Sequence, residues 1–145
     1  MNNPKELLSL LLASLRATHF IHWTGHWQVK GNPYYGDHLL LQRLYEGIDV
    51  EIDTLAEKLV AQFGVNVVNP TKQSLLVNQI VQKLSMIQDP ILRSLEAEKK
   101  LMLLLENTFK VLEQQGQLSL GMNDFIAATA NSHETFIYLL QQRTR

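Results

Sequence analysis

Residues 22 to 57 constrain this chain more than any other stretch, because they carry helix geometry and ligand chemistry together. The run His22-Trp23-Thr24-Gly25-His26-Trp27 is followed by a break, Lys30-Gly31-Asn32-Pro33, and then by His38. Beyond it, Asp49, Asp53 and Glu57 recur at every fourth position. On an α-helix that step stacks side chains one turn apart on one face, so the three carboxylates form a stripe. Carboxylates and imidazoles together are a donor set suited to iron, manganese or zinc. A helix over residues 36–63 would separate His38 from Asp53 by about 22 Å at roughly 1.5 Å per residue, too far for one ion to bridge. Two arrangements remain open. Either the histidines and the acids are separate sites, or two chains pack antiparallel and the histidines of one meet the acids of the other. A two-fold contact would then build the site twice.

The rest of the chain reads as helices. Asn3-Pro4-Lys5-Glu6 is a start signal, with Asn as N-cap, Pro at the first helical position and Glu three residues after the cap. The first helix is expected to run to about residue 29, packing Leu7, Leu8, Leu11, Leu15, Phe20 and Trp23 at helical spacing. A second is expected from about Tyr35 to Phe63, stopped by Gly64. Residues 64–71 read as a loop and residues 73–87 as a short amphipathic connecting helix. Asp89-Pro90 opens a third long helix that ends at Gly116, and a fourth is expected from about Asn123 to Gln142 through Phe125, Ala128, Phe136, Leu139 and Leu140. Four long helices with one long crossover between the second and third predict an all-α, ferritin-like four-helix bundle, with a short extra helix in the crossover.

Composition agrees with one folded domain over residues 1–145: 46% of residues are apolar, 19% are charged, and there are seven glycines and four prolines. The absence of cysteine excludes a disulfide scaffold and fits a reducing compartment. A net charge of −1 gives no general pull toward nucleic acid. No apolar run approaches the roughly 18 residues of a membrane span, and Met1-Asn2-Asn3-Pro4 has no signal-peptide layout, so a cytoplasmic protein is expected.

Several segments resemble one known family. His26-Trp27-Gln28-Val29-Lys30-Gly31, His38 twelve residues after His26, and Asp53-Thr54-Leu55-Ala56-Glu57-Lys58 resemble the signature of the Dps-type miniferritins, cage-forming DNA-protection proteins of starved cells. Asp124-Phe125-Ile126 and Phe136-Ile137-Tyr138 resemble that family's last helix. The resemblance implies that His26, His38, Asp53 and Glu57 bind metal and carry catalysis between two-fold related subunits, with Glu57 best placed to bridge two ions. It implies a ferroxidase, in which Fe²⁺ is oxidised by hydrogen peroxide or dioxygen and Fe³⁺ is stored as mineral inside a homo-oligomeric cage, usually of twelve subunits. Protection against oxidative stress would follow.

Gln42 departs from the pattern, because the family usually carries Asp four residues after the second histidine. A neutral amide removes one hard anionic oxygen, so Fe²⁺ should bind more weakly and the second iron position is the one affected. The alternative is therefore a structural cage, or one that binds zinc or another divalent ion, with a weakened oxidation centre. His22 lies one turn before His26 and could add a ligand, although a hydrogen-bonded imidazole is expected there. Asp49 is expected to be a salt-bridge partner, and Trp23 and Trp27 packing residues. Asp124 reads either as a cap of the last helix or, by the resemblance, as a pore residue that admits iron. Glu-x-x-His occurs nowhere, which argues against a di-iron centre inside the bundle. Binding to DNA is expected to be weak or absent, since Met1-Asn2-Asn3 is uncharged, Lys5 is followed by Glu6, and the other end offers only Arg143 and Arg145.

Overall fold

A computed structural model describes residues 3–145; Met1 and Asn2, counted above as uncharged lead residues, lie outside it. Its helices are α1 (Pro4–Gln28), α2 (Tyr34–Phe63), α3 (Pro70–Leu84), α4 (Pro90–Gln114) and α5 (Leu120–Thr144), with one 3₁₀ turn, Val65–Val68. Among the described residues no helix is long and apolar enough to cross a membrane.

The starts are set by side-chain caps. Asn3 Oδ1 accepts from the amides of Lys5 and Glu6, and Asp89 Oδ1 from those of Ile91 and Leu92. Asn69-Pro70 repeats the device, Asn69 Oδ1 accepting from Lys72 N, so α3 begins inside the stretch expected to be loop. The last helix also begins earlier than expected. Ser119 caps it through Met122 N, which puts Asp124 in the second turn, exposed, and removes the capping role considered for it.

Helix α1 lies against α2 and α4, α5 lies against α4 and α2, and α3 packs across α1. The end of α1 meets the start of α4 closely: a Cβ on Gly25 would stand 3.5 Å from Pro90 Cβ and 3.2 Å from a Leu41 methyl. Since α1 and α2 form a hairpin, α1 and α5 run one way and α2 and α4 the other, and the 3₁₀ turn with α3 carries the chain back along the bundle. This is the ferritin-like arrangement, with its single long crossover.

The apolar seam is continuous except at one level. On α2 it runs Leu41, Leu44, Ile48, Leu55, Leu59, with Glu51 filling the inward slot between Ile48 and Leu55. On α1 the slot belongs to His22, on α4 to Glu98 and on α5 to His133, all three fully buried. Glu98 joins them: its Oε2 accepts from His22 Nε2 at 2.8 Å and its Oε1 from His133 Nδ1 at 2.5 Å. The second nitrogen of His133 donates to Glu51 Oε1 at 2.7 Å, and His22 Nδ1 meets the Ser94 hydroxyl at 2.8 Å. Every helix of the bundle therefore contributes to one polar layer. Beside it, α2 and α5 approach closely enough that a Cβ on Gly47 would stand 2.8 Å from the Phe136 ring.

The layer has a definite charge. Burial alone would push the His133 imidazole down, but hydrogen bonds to Glu51 and Glu98 and their charges outweigh it, and it is raised to about 9 from 6.5. Burial would raise the Glu98 carboxyl, and the two histidines hold it below the usual range instead. A group raised in the folded state adds stability that is complete below its unfolded value and lost as pH climbs through its folded one. The His133 contribution, on the order of 3 kcal/mol, should thus fade between pH 6.5 and about 9. Glu98 acts in the opposite direction, its contribution being lost as pH falls below the ordinary carboxylate range. Chemical denaturation of the wild type at pH 6.5 and at pH 9 should show that loss, and His133→Gln should flatten it while destabilising the protein throughout. Equal stability at the two pH values would contradict the assignment of a buried imidazolium.

Candidate metal centre

His26 ends α1 and His38 begins the second turn of α2, and the break at 29–33 folds one onto the other. Their rings stack with centroids 3.5 Å apart and planes 16° from parallel. Each ring bonds to the other residue's backbone: His26 Nδ1 donates to the His38 carbonyl at 2.6 Å, and His38 Nδ1 to the His26 carbonyl at 2.7 Å. A carbonyl only accepts, so each Nδ1 carries a hydrogen, and no described residue bonds to either Nε2. Pinning one nitrogen to the backbone so that the other is available is the usual support of a metal-ligating histidine. Tyr34 stacks on the outer face of His38 at 5.1 Å, and Tyr45 meets His26 edge-on at 5.4 Å.

The acids stand elsewhere. Asp53 and Glu57 are exposed on α2, one turn apart, and form no hydrogen bond or ion pair with any described residue. Helix α2 is continuous from His38 to Glu57, so the separation of about 22 Å between His38 and Asp53 stands. Among the described residues no group of three or more histidines and acids is arranged to hold a metal ion within one chain. Asp49, the third member of the stripe, accepts from His19 Nε2 at 2.7 Å.

Other candidates fall differently. His22 points into the bundle with both ring nitrogens engaged by α4, which takes it out of reach of a site at His26 and His38. The distances in its polar layer, 2.5–2.8 Å between nitrogen and oxygen, are those of hydrogen bonds. Gln42, half-buried one turn beyond His38, turns its amide nitrogen to Glu46 Oε1 at 2.9 Å. Phe20, Trp23 and Trp27 are not core residues, being 53%, 42% and 64% exposed. Trp23 and Trp27 pack at the surface instead of in the core: Trp23 stacks on Tyr45 of α2 at 5.2 Å and meets Trp27 at 5.5 Å. They border a groove of about 370 Å³ with Arg16 and Ile52. A second groove, of about 570 Å³, shares Arg16 and Ile52 and continues to Glu57. Ala128 on α5 is likewise exposed rather than inward.

Sequence reasoning passed over Glu51 and Glu98, whose signal was a polar residue in a slot of the helical seam. It also missed Asp37 and treated Arg143 only as a free surface cation; the two form a bidentate ion pair.

No protein-family model matches this chain, and no curated protein matches it. Solved structures do. Dps from Thermosynechococcus elongatus superposes with a TM-score of 0.77 at 16% identity, covering 97% of this chain and 90% of that one. DpsC from Streptomyces coelicolor superposes with a TM-score of 0.79 at 21% identity, covering 98% of this chain and 83% of that one. Over nearly its whole length, the chain has the fold of these Dps structures.

Proposed function

We propose that this chain is the subunit of a Dps-type miniferritin that binds Fe²⁺ between subunits, oxidises it and stores the ferric product in a homo-oligomeric cage. The observation that carries the reading is the His26–His38 pair, two imidazoles with Nδ1 committed to backbone and Nε2 left for a ligand, beside unpaired acids that the same chain keeps out of range. A two-fold partner supplies what is missing, its Asp53 and Glu57 facing these histidines. The apolar strip from Trp23 and Trp27 through Ile52 to Glu57 supports such a partner, since an exposed apolar surface of this kind is suited to association. Twelve subunits is the assembly we expect.

Iron is the substrate. With hydrogen peroxide, two Fe²⁺ and two protons give two Fe³⁺ and two waters. The Asp53 and Glu57 carboxylates favour the more highly charged product, and the imidazoles hold the ferrous ion as it enters. Asp124, exposed near the start of α5, is proposed to line an entry path for Fe²⁺ between subunits. The lack of cysteine fits a cytoplasmic setting. A second reading has one observation in its favour. Gln42 brings no charge and gives its amide to Glu46, which favours a cage whose second metal position is weak, or one that holds zinc or another divalent ion.

Native mass spectrometry should give a dodecamer, and His26→Ala or Glu57→Ala should slow the rise of ferric absorbance at least about tenfold with the assembly intact. A monomer at micromolar concentration, or both variants at the wild-type rate, would overturn the reading. Gel-shift titration at about 0.1 M salt should show no retardation of plasmid at sub-micromolar protein. Arg143 is already committed to Asp37, which leaves Arg145 as the uncommitted one of the two arginines considered for phosphates. Retardation at that concentration would contradict this part of the account.

A further inference from the structure

We propose that Arg143 is a positioning residue for the candidate metal centre: from the last turn of α5 it clasps Asp37 and so holds His38 in register with His26. The inference rests on the metal reading of those two histidines and goes beyond it, because neither Arg143 nor Asp37 would touch the ion.

Three observations carry it. The first is the contact itself. Arg143 Nε donates to Asp37 Oδ1 at 2.6 Å and Nη2 to Oδ2 at 2.9 Å, a bidentate fork in which the carboxylate side chain is only 6% exposed. Asp37 raises the Arg143 guanidinium further, and Asp89, the cap of α4, adds its charge in the same direction. The second is the weakness of the helix start. Pro33 stands at the N-cap of α2 and offers no side-chain cap, whereas α1, α3, α4 and α5 each have one. The first turn of α2 is held instead by Tyr34 N to the Gly31 carbonyl, by Asp37 N to the Pro33 carbonyl and by the Arg143 fork. The third is what that turn carries. Tyr34 stacks on His38, and His38 follows Asp37 directly and exchanges reciprocal ring-to-carbonyl hydrogen bonds with His26.

A buried carboxylate that loses its hydrogen-bonding cation must turn out to reach water, and that movement loosens the turn that contains it. His38 would move with that turn, and its Nδ1 would lose alignment with the His26 carbonyl. The imidazole would then be free to bind through either nitrogen or neither. Arg143 thereby acts on the metal through backbone geometry, in the way that outer partners of a ligating histidine usually do.

The test uses the full-length protein and Co²⁺ as a spectroscopic probe, together with ¹⁵N NMR of the histidine side chains in metal-free protein. Arg143→Ala should erase the hydrogen-bonded Nδ1–H signals of His26 and His38 and weaken Co²⁺ binding about tenfold to a hundredfold. Arg143→Lys, which keeps the charge and loses the fork, should lie between. Phe125→Leu, far along α5, should lower thermal stability with Co²⁺ affinity unchanged, which separates positioning from general destabilisation. If Arg143→Ala fails to fold, Arg143→Lys decides by the same two readouts. Wild-type Nδ1–H signals and Co²⁺ affinity in the Arg143 variants would overturn the clasp alone. A wild-type protein with no Co²⁺ band sensitive to His26→Ala would overturn the metal reading, and the proposal with it.

Discussion

One buried carboxylate sets the terms for the rest of the bundle. Glu98 is fully buried and ionised, and it is tolerable there only because His22 and His133 donate to its two oxygens while Glu51 closes the chain on the far side of His133. A lone carboxylate in that position would cost several kcal/mol, so the four helices must meet at the level where these partners coincide. An all-leucine seam could slide by one turn with little change in buried area. A seam interrupted by Glu98, His22, His133 and Glu51 has one register that satisfies every polar atom, and no buried side-chain nitrogen or oxygen among the described residues lacks a partner.

That register has consequences at the end of the bundle. It fixes where α1 finishes and α2 begins, which brings His26 over His38, and it brings the last turn of α5 against Asp37. The polar layer takes the inward-facing His22 for structure. His26, only 6% exposed, and the half-buried His38 each commit Nδ1 to backbone, and no described residue bonds to either Nε2. The proposed function places the reactive groups between copies of the bundle instead of at its own centre. On that proposed reading, the pairing of histidines from one chain with carboxylates from another follows from helix rise, because the continuous α2 keeps its own acids out of range of His38.

Much of this was legible in the residues. Asn3-Pro4 and Asp89-Pro90 announced helix starts that the structure has, because a side-chain cap followed by proline is a local signal that needs no tertiary context. Asn69-Pro70 carried the same signal and was masked by the surrounding valines and asparagines, which read as loop. The stripe of Asp49, Asp53 and Glu57 was equally local. The polar layer was not, since Glu51, Glu98 and His133 lie 35 to 82 residues apart and each looks ordinary on its own helix. The search for Glu-x-x-His asked for a pair on one helix, whereas the structure distributes one group to each of four. The Asp37–Arg143 fork escaped for the same reason, joining residues 106 positions apart. Periodicity shows the face that Phe20, Trp23 and Trp27 share, but not that they lie 42–64% exposed at its surface.

The central claim is that metal belongs between chains, at His26 and His38, and not within the polar layer. Anomalous scattering from crystals soaked in Fe²⁺ under anaerobic conditions tests it most directly. The account predicts density beside His26 and His38 of one chain and the acids of a two-fold partner, with none among His22, Glu51, Glu98 and His133. An iron peak inside the bundle, or a crystal with no histidine-bound iron at all, would contradict it.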